Sequence, residues 1–289
     1  MGFINSCRWF RKAASSKREQ LLHLLSDLQP KIAAVEGYLT PREVGCIAWL
    51  GANPTAAGEV LEIGSFKGRS TIVLALASKL AGDAHIIAVD PLTSPSITDP
   101  RLEPGEDSGR ERFEANLAAA GVRKHVEFHQ MLSTELAQQW PAGRRLRLLW
   151  IDGDHTYAAA KADFDAFRPF LANGAIVAMH DVLHHHGGPA RVFAESILLS
   201  PHFGATGFCG SIGWSQFFCD PQDAAQFYLV KLHQYRRLSR VISYTAFGGD
   251  IEGWRLIGYK LARSSLPHGQ IDPVAWARDV RDCRVLRSY

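Results

Sequence analysis

Acidic and glycine residues meet at the end of an apolar segment in the first quarter of the chain. Glu62 ends this segment and is followed by Gly64 and Gly68, after which the sequence 69–80 favours a helix. Glycine lets a ligand approach the backbone closely, and the start of a helix offers free N–H groups to an anionic or polar ligand. These residues therefore predict a strand, a tight turn and a helix that together bind a small ligand.

The residues around these glycines discriminate between nucleotide-type ligands. A dinucleotide fingerprint needs a third glycine that is missing here, and a phosphate-binding loop needs a lysine where Arg69 follows Gly68. Asp90 ends the next apolar segment, and a carboxylate at that place can accept hydrogen bonds from both hydroxyls of a ribose. Glu62 together with Asp90 indicates a ligand with a ribose and a cationic or amino-bearing portion. The alternative is an ordinary α/β turn.

A second group of polar residues follows two later apolar segments. Asp152 and His155 follow one predicted strand, and His180 and Asp181 follow the next. In an open parallel sheet, ligands bind outside the carboxyl ends of the strands. We therefore expect these side chains to lie near the glycine turn.

Taken in order, four motifs make the chain resemble a known family. They are E-I-G-S-F-K-G at 62–68, Asp90, I-D-G-D-H-T-Y at 151–157 and M-H-D-V at 179–182. This set resembles the class I S-adenosylmethionine (SAM) dependent methyltransferases, above all their small-molecule O-methyltransferase branch with its catechol-type, macrocin-type and cephalosporin-hydroxylase-like members. The resemblance spans about residues 36–220. Its motifs are specific for fold and cofactor, and poorly specific for substrate.

The resemblance implies that SAM is the cofactor. It places the glycine turn around the methionine portion, Asp90 at the ribose and Ser133 at the adenine. The segment at Glu36 and Gly37 resembles one that folds over the cofactor in relatives; its alternative is a turn that links two helices. The predicted cofactor residues are Glu36, Gly37, Glu62, Gly64, Ser65, Gly68, Ser70, Asp90, Ser133 and Asp152.

Methylation of a hydroxyl needs a base, and the resemblance places it at His155. An unperturbed imidazole pKa of ~6.5 suits proton uptake at neutral pH. Catechol-type relatives bind a divalent cation, which the resemblance places at Asp152, His180 and Asp181 as Mg²⁺ or Mn²⁺. His180 stands where relatives usually have an acidic residue, so it could instead donate to Asp181. His155 could instead steady the start of the next helix.

These residues lead to one preferred function and two alternatives. The preferred function is transfer of a methyl group to a hydroxyl of a small molecule, such as a sugar or natural product. The alternatives are a metal-independent O- or N-methyltransferase and a catalytically inactive SAM-binding partner protein. We expect the three histidines at 184–186 to form a polar loop, since consecutive residues of a regular element cannot all face one ion.

Composition limits the class of protein. The chain has 289 residues, 46% of them hydrophobic, and a formal charge of +3, which suits a globular enzyme and indicates no nucleic-acid partner. Five scattered cysteines indicate reduced thiols. Because no apolar run could span a bilayer and no signal-peptide pattern is present, we predict a cytoplasmic protein without stable membrane insertion.

Strand and helix patterns alternate from residue 59 and predict an α/β fold. We expect a Rossmann-like class I methyltransferase fold: a seven-stranded, mostly parallel sheet with an antiparallel terminal hairpin, plus N- and C-terminal helices. The terminal helices are the candidates for contact in a homo-oligomer. The predicted segments are a flexible tail at 1–20, a helical cap at 21–55, the SAM-binding domain at 56–220 and a helical extension at 221–289.

Overall fold

Seven strands form one mixed sheet in the computed structural model, which describes residues 2–82, 85–92, 109–246 and 251–284. The strand order is β3-β2-β1-β4-β5-β7-β6, in which β1 to β5 are parallel and β7 is antiparallel to both of its neighbours. This confirms the predicted fold class. The strands are β1 Glu59–Ile63, β2 Ile86–Val89, β3 Val126–His129, β4 Leu146–Ile151, β5 Leu171–Met179, β6 Phe203–Cys209 and β7 Ile212–Phe217.

Helices cover both faces of this sheet. The described helices are α1 Gly2–Ile32, α2 Pro41–Ala52, α3 Arg69–Leu80, α4 Gly109–Ala119, α5 Ser133–Gln138, α6 Tyr157–Phe167, α7 Gly187–Val192, α8 Pro221–Ala224, α9 Tyr228–Thr245, α10 Gly253–Ser264 and α11 Pro273–Asp279. A π-helical turn, Phe193–Leu198, continues α7. In the described part of the chain, no helix combines the length and the apolar character needed to cross a membrane.

The central strands are apolar on both faces, as expected for parallel strands covered by helices on both sides. Along β4, Leu148 and Trp150 belong to one buried cluster, whereas Leu149 and Ile151 belong to the other. The first cluster includes residues of α1, α2 and α3, and the second includes residues of α6, α7 and α9. These two layers hold the strand ends that carry the predicted site residues.

The N-terminal helix differs from the expectation. We expected a flexible tail at 1–20, but α1 is helical from Gly2. The first twenty residues include a basic, aromatic stretch at 8–12, for which we expected a frayed, solvated tail. They also contain no proline, so nothing in the backbone prevents α1 from continuing toward the N-terminus. The division of the chain into four segments stays a prediction.

The chain reverses its direction across the sheet between β1 and β4. β2 and β3 extend the sheet on one side of β1, and β4 returns to its other side with Ile63 opposite Ile151. Such a switch point leaves a crevice at the carboxyl ends of the two strands. Gly64 and Asp152 therefore lie side by side: the Asp152 N–H donates to the Ile63 carbonyl at 2.8 Å.

This close approach predicts a specific effect of Gly64→Ala. Gly64 has a φ of 85°, and a Cβ added there would lie 2.1 Å from the carbonyl oxygen of Asp152. Gly82 has nearly the same φ, 83°, and nothing within 4 Å of an added Cβ, so it is a matched control. We expect Gly82→Ala to lose about 1 kcal/mol of unfolding free energy through backbone strain, and Gly64→Ala to lose roughly 2 kcal/mol more. Urea unfolding measures both, and equal losses would contradict the predicted clash.

Candidate functional site

The turn after β1 is held by the carboxylate of Asp90. Its Oδ2 accepts hydrogen bonds from the N–H groups of Ser65 and Phe66, both at 2.8 Å, and its Oδ1 accepts one from Leu92 at 2.7 Å. Burial raises the pKa of Asp90 above its usual value, although these three bonds oppose the shift. The residue predicted to hold a ribose therefore also fixes the conformation of the glycine turn.

Glu62 lies beneath the same turn. Its side chain is fully buried; Oε2 accepts a hydrogen bond from the Thr71 hydroxyl, and Oε1 has no partner among the described residues. Burial raises its pKa to about 7, although hydroxyl groups of Ser70 and Thr71 oppose the shift. Glu62 and Ser70 therefore lie inside the protein beneath the start of α3. From there they would affect a bound cofactor only indirectly, by holding the glycine turn in position.

The segment before α2 lies against the glycine turn. Glu36 forms an ion pair with Lys67, and the Arg69 guanidinium donates to the Gly37 carbonyl at 3.0 Å. Tyr38 stacks on Phe66 with ring centroids 6.3 Å apart. The structure thus brings Glu36 and Gly37 next to the glycine turn, and their contact with the cofactor stays a prediction.

Ser133 has a partner inside the protein. At the start of α5, its hydroxyl donates to Asp163 on α6, and both side chains are buried. Burial raises the pKa of Asp163 to about 6. Sequence reasoning missed Asp163, because a single carboxylate within a helix carries no motif. The expected contact between Ser133 and adenine stays a prediction.

The side chain of His180 lies among three carboxylates. Its Nδ1 is 2.9 Å from Asp152 Oδ1 and 3.4 Å from Asp181 Oδ1, and its Nε2 is 3.8 Å from Glu43 Oε2. Burial lowers its pKa, but the charges of Asp152 and Asp181 outweigh burial, and the pKa lies well above its usual value. A protonated imidazole has no free lone pair for a metal. His180 is therefore held as an ion-pair partner in this arrangement, and its role as a metal ligand stays a prediction.

Glu43 is a site residue that sequence reasoning missed. It is buried, and its Oε1 accepts hydrogen bonds from the N–H and the hydroxyl of Ser211, at 2.7 and 2.6 Å. Burial raises its pKa, but the charge of His180, 3.8 Å away, and the hydrogen bonds from Ser211 outweigh burial and lower it well below its usual range. The sequence signals Glu43 only as part of the capping box with Thr40 at the start of α2.

Asp181 also binds the predicted base. His155 Nε2 lies 3.1 Å from Asp181 Oδ2, and His155 Nδ1 is buried without a partner among the described residues. Burial lowers the pKa of His155, but the hydrogen bond and charge of Asp181 outweigh burial and raise it. Asp181 has a φ of 55°, which is uncommon outside glycine and lets one carboxylate face both histidines.

The three histidines at 184–186 converge, contrary to the expectation. Their ring centroids lie 4.1 to 5.2 Å apart, because the loop is irregular and no helical or strand geometry separates them. The His186 ring also stacks on His155, with centroids 4.4 Å apart. A Cβ at Gly188 would lie 2.2 Å from the His155 carbonyl oxygen, so this approach needs glycine. Donor atoms of His155, Asp181 and His186 lie within 4.8 Å of one another.

Part of this chain is similar to known proteins. Residues 61–182 match the family model described as a methyltransferase domain. A solved structure from Corynebacterium glutamicum has a TM-score of 0.51 at 15% identity, over 68% of this chain and 91% of that chain. The Bacillus cereus O-methyltransferase in complex with SAH has a TM-score of 0.48 at 17% identity, over 67% and 90%. The Streptomyces achromogenes O-methyltransferase of tomaymycin synthesis, in complex with SAM, has 0.48 at 18%, over 68% and 89%.

The family match confirms the resemblance to methyltransferases and the prediction that the chain is an enzyme. The matched residues run from β1 to just beyond β5 and include all four motifs on which the resemblance rests. The chain therefore carries a methyltransferase domain at residues 61–182. The structural likeness supports the fold, which the observed strand order shows independently.

The buried carboxyl of Glu62 predicts a pH dependence of stability. Its pKa rises from 4.5 to about 7 on folding, so the folded protein binds this proton more tightly than the unfolded chain. Its contribution to the unfolding free energy therefore falls by roughly 3 kcal/mol as pH rises through this window. We expect Glu62→Gln to be more stable than the parent above pH ~7.5 and close to it below pH ~5. Urea unfolding across this pH range, with the exposed Glu19→Gln as control, measures the difference; parallel curves would contradict the assignment.

Proposed function

Because residues 61–182 are a methyltransferase domain, we propose that the protein transfers the methyl group of SAM to a hydroxyl of a small molecule, such as a sugar or natural product. One observation supports a hydroxyl as the acceptor of the methyl group. A histidine paired with a buried carboxylate, His155 with Asp181, lies on the strand edge that also carries the glycine turn. Such a pair is suited to removing a proton from a hydroxyl during methyl transfer.

The glycine turn and its surroundings are proposed to bind SAM. Gly64, Ser65 and Gly68 would lie against the methionine portion, and Asp90 and Ser133 would lie toward the ribose and adenine. The sulfonium of SAM supplies an electrophilic methyl group. Three carboxylates face two imidazoles in the neighbouring cluster, and this excess of negative charge favours a cationic ligand.

His155 is proposed to take the proton at Nδ1. Asp181 accepts a hydrogen bond from Nε2, which holds the hydrogen of the neutral ring on that nitrogen and leaves the Nδ1 lone pair free. After uptake, Asp181 stabilises the imidazolium. The His186 ring lies over His155, so the histidine loop must shift before an acceptor reaches Nδ1.

The first test separates cofactor binding from proton transfer. We expect native protein to bind S-adenosylhomocysteine in calorimetry, and Asp90→Ala to abolish binding because the glycine turn loses its two hydrogen bonds to Asp90. His155→Ala keeps this affinity but lowers methyl transfer from labelled SAM, across a pool of hydroxylated small molecules, by roughly 10²-fold or more. Absence of binding to native protein would refute the function. Full transfer by His155→Ala would refute the base.

Methyl transfer assisted by a cation is a second candidate, and the donor cluster of His155, Asp181 and His186 favours it. Two imidazoles and a carboxylate suit Mn²⁺, Fe²⁺ or Zn²⁺ better than Mg²⁺. In this case His155 would be a ligand and not the base. The ligand set expected from the resemblance, Asp152, His180 and Asp181, fits a cation less well, because His180 is held as an ion-pair partner.

Metal binding distinguishes the two ligand sets. We expect Mn²⁺ in equilibrium dialysis to bind native protein and Asp152→Asn alike, and to bind His186→Ala at least about tenfold more weakly. If Asp152→Asn weakens Mn²⁺ binding and His186→Ala does not, the ligand set of Asp152, His180 and Asp181 is supported instead. If EDTA and His186→Ala both leave methyl transfer unchanged, the metal-independent O- or N-methyltransferase is favoured. Cofactor binding without transfer to any acceptor would favour an inactive partner protein.

A further inference from the structure

Helix α10 carries apolar side chains on two opposite faces. Tyr259 is buried against the protein and donates to the Leu183 carbonyl at 2.8 Å. On the opposite face, Trp254, Ile257 and Leu261 are 87%, 50% and 67% exposed. Their spacing of three and four residues places them in one stripe along the helix. A contiguous exposed stripe of large apolar side chains marks a contact surface.

The surroundings of this stripe are strongly cationic. Helices α9 and α10 together contain seven Lys and Arg residues, of which Lys231 is buried, and no Asp or Glu. The exposed Glu252 precedes the first residue of α10. Arg255 and Lys260 are exposed, and at 3.6 residues per turn they lie on either side of the stripe. Arg240 of α9 is exposed as well and borders a shallow cleft together with Leu261. The outer surface of α9 and α10 is therefore apolar at its centre and positive at its edges.

We infer that this surface docks reversibly on a membrane that contains anionic lipids. A basic amphipathic helix with an exposed tryptophan lies in the plane of a membrane interface, with its apolar side chains among the acyl chains and its cations at the headgroups. A second copy of the chain fits the surface less well. A two-fold contact between identical α10 helices would bring the cations of one copy against those of the other.

The location of α10 connects this surface with the candidate site. A cavity of about 710 Å³ lies between α10 and the histidine loop, and its lining includes His184, His185, Leu256 and Lys260. Docking through the outer stripe leaves this inner side of α10 facing the cavity. None of the residues proposed to bind SAM or take the proton belongs to the docking surface, so docking and methyl transfer are tested separately.

Co-sedimentation with vesicles tests the inference. We expect full-length protein to bind vesicles of phosphatidylcholine and phosphatidylglycerol, and to bind phosphatidylcholine alone weakly. The triple variant Trp254→Ser, Ile257→Ser, Leu261→Ser is expected to bind the anionic vesicles at least about tenfold more weakly. Arg255→Gln combined with Lys260→Gln is expected to weaken binding roughly tenfold and to reduce its dependence on salt.

A matched control uses apolar residues that are similarly exposed elsewhere. Leu22, Leu80 and Val274 are 57%, 45% and 53% exposed, and changing all three to Ser is expected to leave vesicle binding unchanged. Circular dichroism and thermal melting check that each variant folds. The inference is overturned if native protein ignores anionic vesicles or if the α10 triple variant binds like native. A dimer would also overturn it. In that case native protein does not bind vesicles, and sedimentation velocity shows a dimer that dissociates only in the α10 variants.

Discussion

The burial of His180 among carboxylates is the constraint on which the rest of the site depends. A charged imidazole away from water is stable only when opposite charges and hydrogen bonds replace its hydration. Those partners come from three places in the chain: Glu43 on α2, Asp152 after β4 and Asp181 after β5. One buried side chain therefore couples a helix near the N-terminus to the ends of two central strands.

This coupling extends from His180 to the groups that bear chemistry. Asp181 is shared between His180 and His155, so the position of the proposed base depends on the buried ion pair. Asp152 is next to Gly64 across the switch point, so the same ion pair adjoins the glycine turn. Glu43 reaches the turn between β6 and β7 through Ser211, which ties the terminal hairpin to the same cluster. Loss of one partner would leave an uncompensated buried charge.

The chain also separates its charges in space. Carboxylates converge at the strand ends, where a cationic cofactor is proposed, whereas helices α9 and α10 contain seven basic residues and no acidic one. A formal charge of only +3 for the whole chain hides this division, because it sums 32 Lys and Arg against 29 Asp and Glu wherever they lie. Net charge therefore describes neither the candidate site nor the proposed docking surface.

Strand ends, the glycine turn and the family resemblance could all be predicted from the sequence by itself. Periodicity and spacing are local, and the parallel topology then requires residues such as Asp90, Asp152 and Asp181 to meet at one edge. Only the tertiary structure decided which partners these side chains take. Glu43 and Asp163 carry no motif, and His186 converges with His155 because its loop is irregular. His180 becomes an ion-pair partner because Glu43 and Asp152, from two distant segments, join its neighbour Asp181 around it. Contacts between segments far apart in the chain leave no trace in local spacing, and for that reason the protonation and roles of the site residues depend on the folded structure.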